Sequence, residues 1–297
     1  MGVSFEIRRG ETLAIVGESG SGKTSLAMAL MGLASAHKGR VLYNGEEVLR
    51  DARERLQPDR RRVVLMFQDA TGSLSPRMNV RSQLLEPFEI HSMDKGDRDQ
   101  RVSRLLDAVG LSERLADAYP HELSGGQARR VGIARALALE PDLIIADEPT
   151  AGLDVSIQGG VLNLLSSLQE RMGLSMMIVT HNLNIVRHVA DRMAIMYLGR
   201  FVEQGPSAEL LDQPRHPYTR ALLSANPSPD PDAVGERLEL AGEVPSLLAR
   251  PNGCEFHTRC PIVQSDCRET APTVRQTGDG HRFSCHHPMT DSPLLDD

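Results

Sequence analysis

The chain has 297 residues, of which 40% are hydrophobic and 25% charged, with a net charge of −7. That balance is ordinary for a globular protein with material for one large core or two smaller ones. The acidic sign argues against free nucleic acid as a partner, because phosphate binding leaves a basic footprint. No run of about 18 apolar residues is present to span a bilayer, and the opening Met1-Gly2-Val3-Ser4-Phe5-Glu6 lacks the basic and apolar zones of a secretion signal. A cytosolic chain is expected, so any membrane path must come from other chains.

In chain order, alternation over residues 3–7 predicts a strand, Arg9-Gly10 a turn, and the apolar run 12–16 a buried strand. A glycine-rich stretch follows, then an apolar helix over 23–33. Asn44-Gly45, between Arg40-Val41-Leu42 and Glu46-Glu47-Val48, signals a hairpin, since both residues tolerate positive φ. Residues 63–67 read as another buried strand. From about 76 to 139 the pattern turns helical, with Leu84, Leu85 and Phe88, then Val102, Leu105, Leu106 and Val109, at helical spacing. Strands return at 143–146, 176–180 and 193–197, with helices between them such as 155–172. Strand–helix alternation around a helical insertion predicts an α/β fold with a mainly parallel sheet.

A compositional break follows. All four cysteines, Cys254, Cys260, Cys267 and Cys285, fall within 32 residues, and nine of the 18 prolines lie beyond residue 225. Together these predict a compact domain over 1–224 and an irregular module over 225–297.

Three motifs carry chemistry. Gly17-Glu18-Ser19-Gly20-Ser21-Gly22-Lys23-Thr24 fits G-x-x-x-x-G-K-[ST] between a strand and a helix, the context that motif requires. Glycines let backbone N–H groups turn inward around phosphates, and a helix N-terminus adds partial positive charge. Lys23 would reach the β- and γ-phosphates and the Thr24 hydroxyl would bind Mg²⁺. The second motif, Leu143-Ile144-Ile145-Ala146-Asp147-Glu148, ends an apolar strand in two carboxylates at the edge where open α/β sheets bind ligands. Asp147 suits the Mg²⁺ shell, and Glu148 can polarise an attacking water. By itself an acidic pair is as readily a solvated strand end. The third motif, Leu123-Ser124-Gly125-Gly126-Gln127, precedes a helix over 128–139 that Ser124 can cap. It reads as a second phosphate cradle, which makes sense if nucleotide is clamped between two subunits. Alone it would be an ordinary capping loop.

These three motifs, with Gln68, Ala151-Gly152-Leu153-Asp154 and His181 in the same order, resemble the nucleotide-binding subunit of ABC transporters over residues 3 to about 224. The resemblance implies the P-loop NTPase ABC cassette, with an antiparallel β part and a helical subdomain over about 76–139. It implies ATP contacts from Gly17, Ser19, Gly20, Ser21, Gly22, Lys23, Thr24 and Ser25, and Mg²⁺ held by Thr24, Gln68 and Asp147. Glu148, His181 and Gln68 take catalytic roles. Ser124, Gly125, Gly126, Gln127 and Asp154 would meet nucleotide held by an opposite subunit. Taken singly, Gln68 reads as a strand-end amide and His181 as a helix cap.

A narrower likeness covers the end of the chain. Ala208-Glu209-Leu210-Leu211, His216-Pro217-Tyr218-Thr219-Arg220-Ala221-Leu222-Leu223 and Gly253-Cys254-Glu255-Phe256-His257-Thr258-Arg259-Cys260-Pro261 resemble the ATPases of oligopeptide, dipeptide and nickel importers. Intervals of five, six and seventeen residues between successive cysteines do not make paired zinc-ribbon knuckles. Four thiolates do suffice for a [4Fe–4S] cluster, which members of this family are thought to carry, with a structural role. A four-thiolate Zn²⁺ site and four buried free cysteines stay open, while disulfides are disfavoured in a reducing cytosol. His257, His281, His286 and His287 could substitute as ligands but read as surface residues.

The resemblance also sets partners. These are a second ABC ATPase subunit, with a heterodimer favoured over a homodimer, two integral membrane permease subunits and an extracytoplasmic solute-binding protein. The chain would sit peripherally on the cytoplasmic face of the membrane, and nothing in it reads the cargo. Two departures stand out. Members place an adenine-stacking aromatic about two dozen positions before the phosphate loop, and here Gly17 lies too near Met1. Phe5 reads as core, so a start truncated upstream is expected. Asn182 stands where an acidic residue often follows the histidine. A soluble ABC ATPase working on nucleic acid or the ribosome is the competing function. The single cassette, the acidic charge and the absence of sustained heptads speak against it. A non-hydrolytic subunit is disfavoured by intact Lys23, Asp147, Glu148 and His181.

Overall fold

The structure, a computed structural model, describes residues 2–34, 38–49, 60–69, 72–93, 96–225, 240, 242–247, 249–277 and 280–289. The expected junction after residue 224 runs into 226–239, which lie outside the described residues, as do residues 94 and 95 of the helical insertion.

In chain order the elements are β1 Thr12–Val16, α1 Lys23–Leu30, β2 Val41–Tyr43, β3 Glu46–Leu49, β4 Val63–Met66, α2 Val80–Ile90, α3 Arg98–Ala108, α4 Gly125–Leu137, β5 Leu143–Asp147 and α5 Val155–Met172. There follow β6 Ser175–Thr180, α6 Leu183–Val189, β7 Arg192–Tyr197, β8 Arg200–Pro206, α7 Ser207–Asp212, α8 Pro217–Ala225, α9 Ser265–Glu269, β9 Arg275–Gln276 and β10 Arg282–Phe283. They form two compact units, one of residues 1–6, 12–24 and 180–297, the other of 7–11 and 25–179.

In the first unit β1 runs parallel to β7, with Val16 opposite Ile195, and β7 turns back antiparallel into β8. The reversal is a two-residue turn, Leu198-Gly199, with both φ values positive at 45° and 74°. This is the twist-matched hairpin geometry, unusual for a leucine. Burial of Leu198 in the core offsets the strain: Val16, Ile195, Tyr197, Leu198, Leu210, Tyr218 and Phe256 form one apolar cluster. The C-terminal segment continues this sheet, since β10 pairs with β8 and β9 with β10. Buried Glu203 on β8 is satisfied three times over, by the N–H groups of Arg215 and His216 and by His281 Nε2 at 2.6 Å. His281 is therefore an interior residue rather than the surface residue expected. His257, His286 and His287 are likewise half-buried, because they fold back around the cysteines.

In the second unit β4, β5 and β6 are parallel, and burial of successive residues on both strand faces accounts for the near-continuous hydrophobic runs of β5 and β6. The hairpin at Asn44-Gly45 forms as expected, with φ of 50° and 86°. Helices α2, α3 and α4 pack on one another, burying Leu84, Leu85, Val102, Leu106 and Val131, each worth roughly 2 kcal/mol.

Three local expectations need correction. Residues 3–7 make no strand among the described residues: Val3, Phe5 and Ile7 are half-buried and their neighbours exposed, so the alternation records one-sided packing without a ladder. Phe5 meets Phe201 edge-on with ring centroids 5.8 Å apart. Helix α1 stops at Leu30 rather than 33, where the chain turns into Gly32 at φ 65°. Helix α4 starts at Gly125, not 128, because the Ser124 cap sits directly before the glycines.

Candidate functional site

The phosphate loop leaves β1 and opens α1, and its shape is set by local chemistry. Gly20 and Gly22 take φ of 80° and 104°, which side chains resist. At Gly17 a Cβ would stand 2.2 Å from the Met196 carbonyl oxygen, so only glycine fits. Lys23 is buried, and its ammonium donates to the carbonyls of Gly17 at 2.7 Å and Glu18 at 2.9 Å. The charge is thereby held over the loop. Thr24 and Ser25 are exposed on the first turn of the helix, where backbone N–H groups lack intrahelical acceptors. Ser19 is exposed, while the Ser21 carbonyl accepts from the Gly199 N–H.

His181 belongs to the same unit and lies exposed just ahead of α6. The capping role open to it belongs instead to Asn182, whose side chain accepts from the Asn184 N–H at 2.9 Å.

The second unit holds Gln68, Ser124–Gln127, Asp147, Glu148 and Asp154. Asp147 is the buried last residue of β5. Glu148 follows at φ 48°, a left-handed conformation rare for a glutamate, stabilised by its N–H donating to the Val179 carbonyl at 2.8 Å. Strain of this kind costs on the order of 1 kcal/mol or more and gathers at working sites.

Ser124 and Gln127 form a reciprocal cap: Ser124 Oγ accepts from the Gln127 N–H at 3.2 Å, and Gln127 Oε1 accepts from the Ser124 N–H at 2.9 Å. Gly125 and Gly126 occupy the first helical turn. A Cβ on Gly126 would lie 3.0 Å from Ile157 Cγ2, and one on Gly125 would touch Leu153. The serine–glycine loop thus runs beside the loop of Asp154, which is exposed and caps α5 by accepting from the Ile157 N–H at 2.9 Å.

One residue of this unit escaped sequence reasoning. Arg129, buried on α4, donates to the Gln68 carbonyl and to the Ala151 carbonyl. Burial pulls its pKa below the ordinary arginine value, which the nearby Asp69 partly offsets. Its position, five residues after Ser124 on an Arg-rich helix, was the only signal.

The four cysteines of the first unit surround one small cavity. Cys267 and Cys285 are buried and Cys254 and Cys260 half-buried, all as thiols. The Cys254 N–H donates to the Cys267 carbonyl at 2.8 Å, tying two distant parts of the segment together. Burial raises Cys254, lifts Cys260 to about 11 and Cys285 to about 12. Ionising them together requires a strong Lewis acid at their centre. Four thiols lining one cavity are the donors that a four-thiolate site would need, whereas the group whose ligand atoms already lie within 4.8 Å of one another among the described residues is Asp266, Cys267 and His287.

Over most of its length the chain is similar to known proteins. The pattern of the ABC transporter family matches residues 1–151, and that of the oligopeptide/dipeptide transporter C-terminal region matches residues 202–267. The chain is similar to the oligopeptide transport ATP-binding protein AppF of Bacillus subtilis, 45% identical over 289 residues covering 96% of this chain and 88% of AppF. It is similar to a putative peptide import ATP-binding protein of Brucella ovis, 46% identical over 284 residues covering 95% and 90% of the two chains. Among solved structures it resembles cbiO1 from Clostridium perfringens, part of the ABC transporter complex cbiONQ, at 32% identity and a TM-score of 0.64. That match covers 70% of this chain and 82% of cbiO1. An ATP-binding cassette solved as a dimer in a post-hydrolysis state bound to ADP and Pi matches at 30% identity and a TM-score of 0.60, covering 69% and 89%. A glycine-rich loop that closes over buried Lys23, a strand running into two carboxylates and a capped serine–glycine helix stand beside these matches, which lead to one conclusion: the chain belongs to the ABC transporter family, as an ATP-binding subunit.

Proposed function

We propose that this chain is the ATP-hydrolysing subunit that drives an ABC importer of oligopeptides or dipeptides. The observation that carries the cargo class is the oligopeptide/dipeptide transporter C-terminal region over residues 202–267, reinforced by relatives named for peptide import. Residues 1–224 serve as the ABC ATPase domain, with a helical subdomain over about 76–139, and 225–297 as the C-terminal extension.

Lys23 and the N–H groups of residues 17–25 bind the phosphates. Thr24, Gln68 and Asp147 are the residues that would hold Mg²⁺, which supplies charge neutralisation at the β- and γ-oxygens. Glu148 orients and polarises the attacking water, and His181 holds the γ-phosphate. Ser124, Gly125, Gly126, Gln127 and Asp154 serve the nucleotide of the opposite subunit, which in a heterodimer is a second ABC ATPase. Catalysis of this kind is positioning and charge stabilisation, with little covalent work for the protein. Cys254, Cys260, Cys267 and Cys285 would hold a [4Fe–4S] cluster, or Zn²⁺ in its place, as a structural fastening.

No helix among the described residues is long and apolar enough to cross a membrane. Two permease subunits would supply the path, and a solute-binding protein outside would select cargo, leaving this chain peripheral on the cytoplasmic face. A groove in the second unit, lined by Phe67, Pro87, Ile90 and His91, supports a permease contact. Phe67 and Ile90 are 48% and 69% exposed there.

The test is to isolate the membrane complex anaerobically, identify its subunits by mass spectrometry and record its visible absorption and metal content. Two permeases, a second ATPase and a broad iron–sulfur band are expected. Co-purifying ribosomes or nucleic acid contradict the importer, and a colourless zinc-containing complex contradicts the cluster.

A further inference from the structure

The second residue of the phosphate loop is a carboxylate, Glu18, placed where a highly anionic triphosphate is to bind. Left alone it would oppose that binding. It is not alone: Arg259, from the cysteine-bearing segment, grips it with both guanidinium nitrogens, Nη1 to Oε2 at 2.7 Å and Nη2 to Oε1 at 3.1 Å. The arginine side chain is 6% exposed and the glutamate 29%, so solvent screens the pair weakly. The same residue is fixed at two more points. Its N–H donates to the hydroxyl of fully buried Tyr218 at 2.9 Å, and its carbonyl accepts from Lys23.

Arg259 and Tyr218 both come from the C-terminal part of the chain, and both are braced by one aromatic cluster. Phe256 lies 5.3 Å from Tyr197 and 5.4 Å from Tyr218, centroid to centroid, with the His216 ring at 5.5 Å. The Arg259 N–H donates to the Phe256 carbonyl at 3.0 Å, and Cys254 and Cys260 flank these two residues in the chain. Whatever fixes the cysteine segment therefore fixes Arg259.

We propose that Arg259 and Tyr218 are positioning residues of the phosphate loop, neutralising and orienting Glu18 so that the loop accepts ATP. The cysteine segment is then a strut that sets nucleotide affinity as well as a fold element. The inference rests on residues 17–24 binding ATP, and not on which metal the cysteines hold.

The experiment measures binding of a fluorescent ATP analogue and the thermal midpoint for the full-length chain and for Arg259→Gln, Glu18→Gln, the double variant and Arg259→Lys. Arg259→Gln should weaken binding about tenfold, a change of about 1.4 kcal/mol, because it leaves the Glu18 charge uncompensated. Arg259→Lys, which keeps the charge but loses the fork, should fall between it and the native chain. Adding Glu18→Gln to Arg259→Gln should return affinity to within about threefold of native, even if the thermal midpoint stays lowered. A merely structural arginine would lower the midpoint without that rescue. Affinity within twofold of native in folded Arg259→Gln, or no recovery in the double variant, overturns the proposal. Should Arg259→Gln not fold, unchanged affinity in Arg259→Lys overturns it equally. A native chain that binds no ATP would instead refute the reading of the loop itself.

Discussion

Arg129 donates to the backbone carbonyl of Gln68 at 2.8 Å, so a residue of helix α4 holds the loop that carries the glutamine. Its other terminal nitrogen reaches the Ala151 carbonyl at 2.9 Å, and the Ala151 N–H in turn donates to the Glu148 carbonyl at 3.0 Å. One buried guanidinium thus ties the Gln68 loop to the turn behind Glu148.

Replacing Arg129 with methionine keeps the packing and removes both bonds. The two carbonyls would be left without that donor, at a cost of about 2 kcal/mol in stability. Urea denaturation should show this loss. Under the proposed roles, with Glu148 polarising water and Gln68 holding Mg²⁺, hydrolysis should fall further than ATP affinity. Equal losses in both would place Arg129 with general stability only.

Ser124 caps α4 and, under the proposed function, would also meet the nucleotide of the opposite subunit. Ser124→Ala removes the cap of α4 and should cost about 1 kcal/mol, whereas Ser124→Asn preserves a capping oxygen and should melt near the native midpoint. Both variants should lose ATP-driven association with the opposite subunit, measured by light scattering. Association retained in Ser124→Asn would reduce the serine to a cap.

Acid stability should report His216. Burial pulls its imidazole down to about 4, only partly opposed by Glu203, and Nδ1 accepts from the Tyr218 N–H at 3.1 Å, as a neutral ring must. Between about pH 6.5 and 4 the unfolded chain holds a proton on this ring that the folded chain does not. Stability is therefore complete above that window and declines as pH falls through it, by about 3 kcal/mol in total. Thermal midpoints taken across the window should slope less in His216→Asn than in the native chain.

The phosphate loop, the Asn44-Gly45 hairpin and the reach of α5 could be read from sequence because each is fixed by residues adjacent to one another. Gly17, Gly22 and Lys23 state their geometry within eight positions. What escaped depends on distant partners. Arg129 finds its acceptors 61 and 22 positions away, Arg259 finds Glu18 across 241, and His281 finds Glu203 across 78. No local period encodes such pairings. Strands β9 and β10 are two residues each, too short to show alternation, and residues 3–7 alternate for a reason other than a ladder. The histidines of the cysteine segment looked like surface residues because their polar partners lie on other elements.

The central claim is that Glu148 activates water for hydrolysis of ATP held by the phosphate loop. Its most direct test is the fate of radiolabelled ATP bound to the purified membrane complex carrying Glu148→Gln in this chain. The account predicts that at least one ATP per complex stays bound as triphosphate, with turnover at that site reduced by about a hundredfold or more. Complete conversion to ADP at the native rate would contradict it.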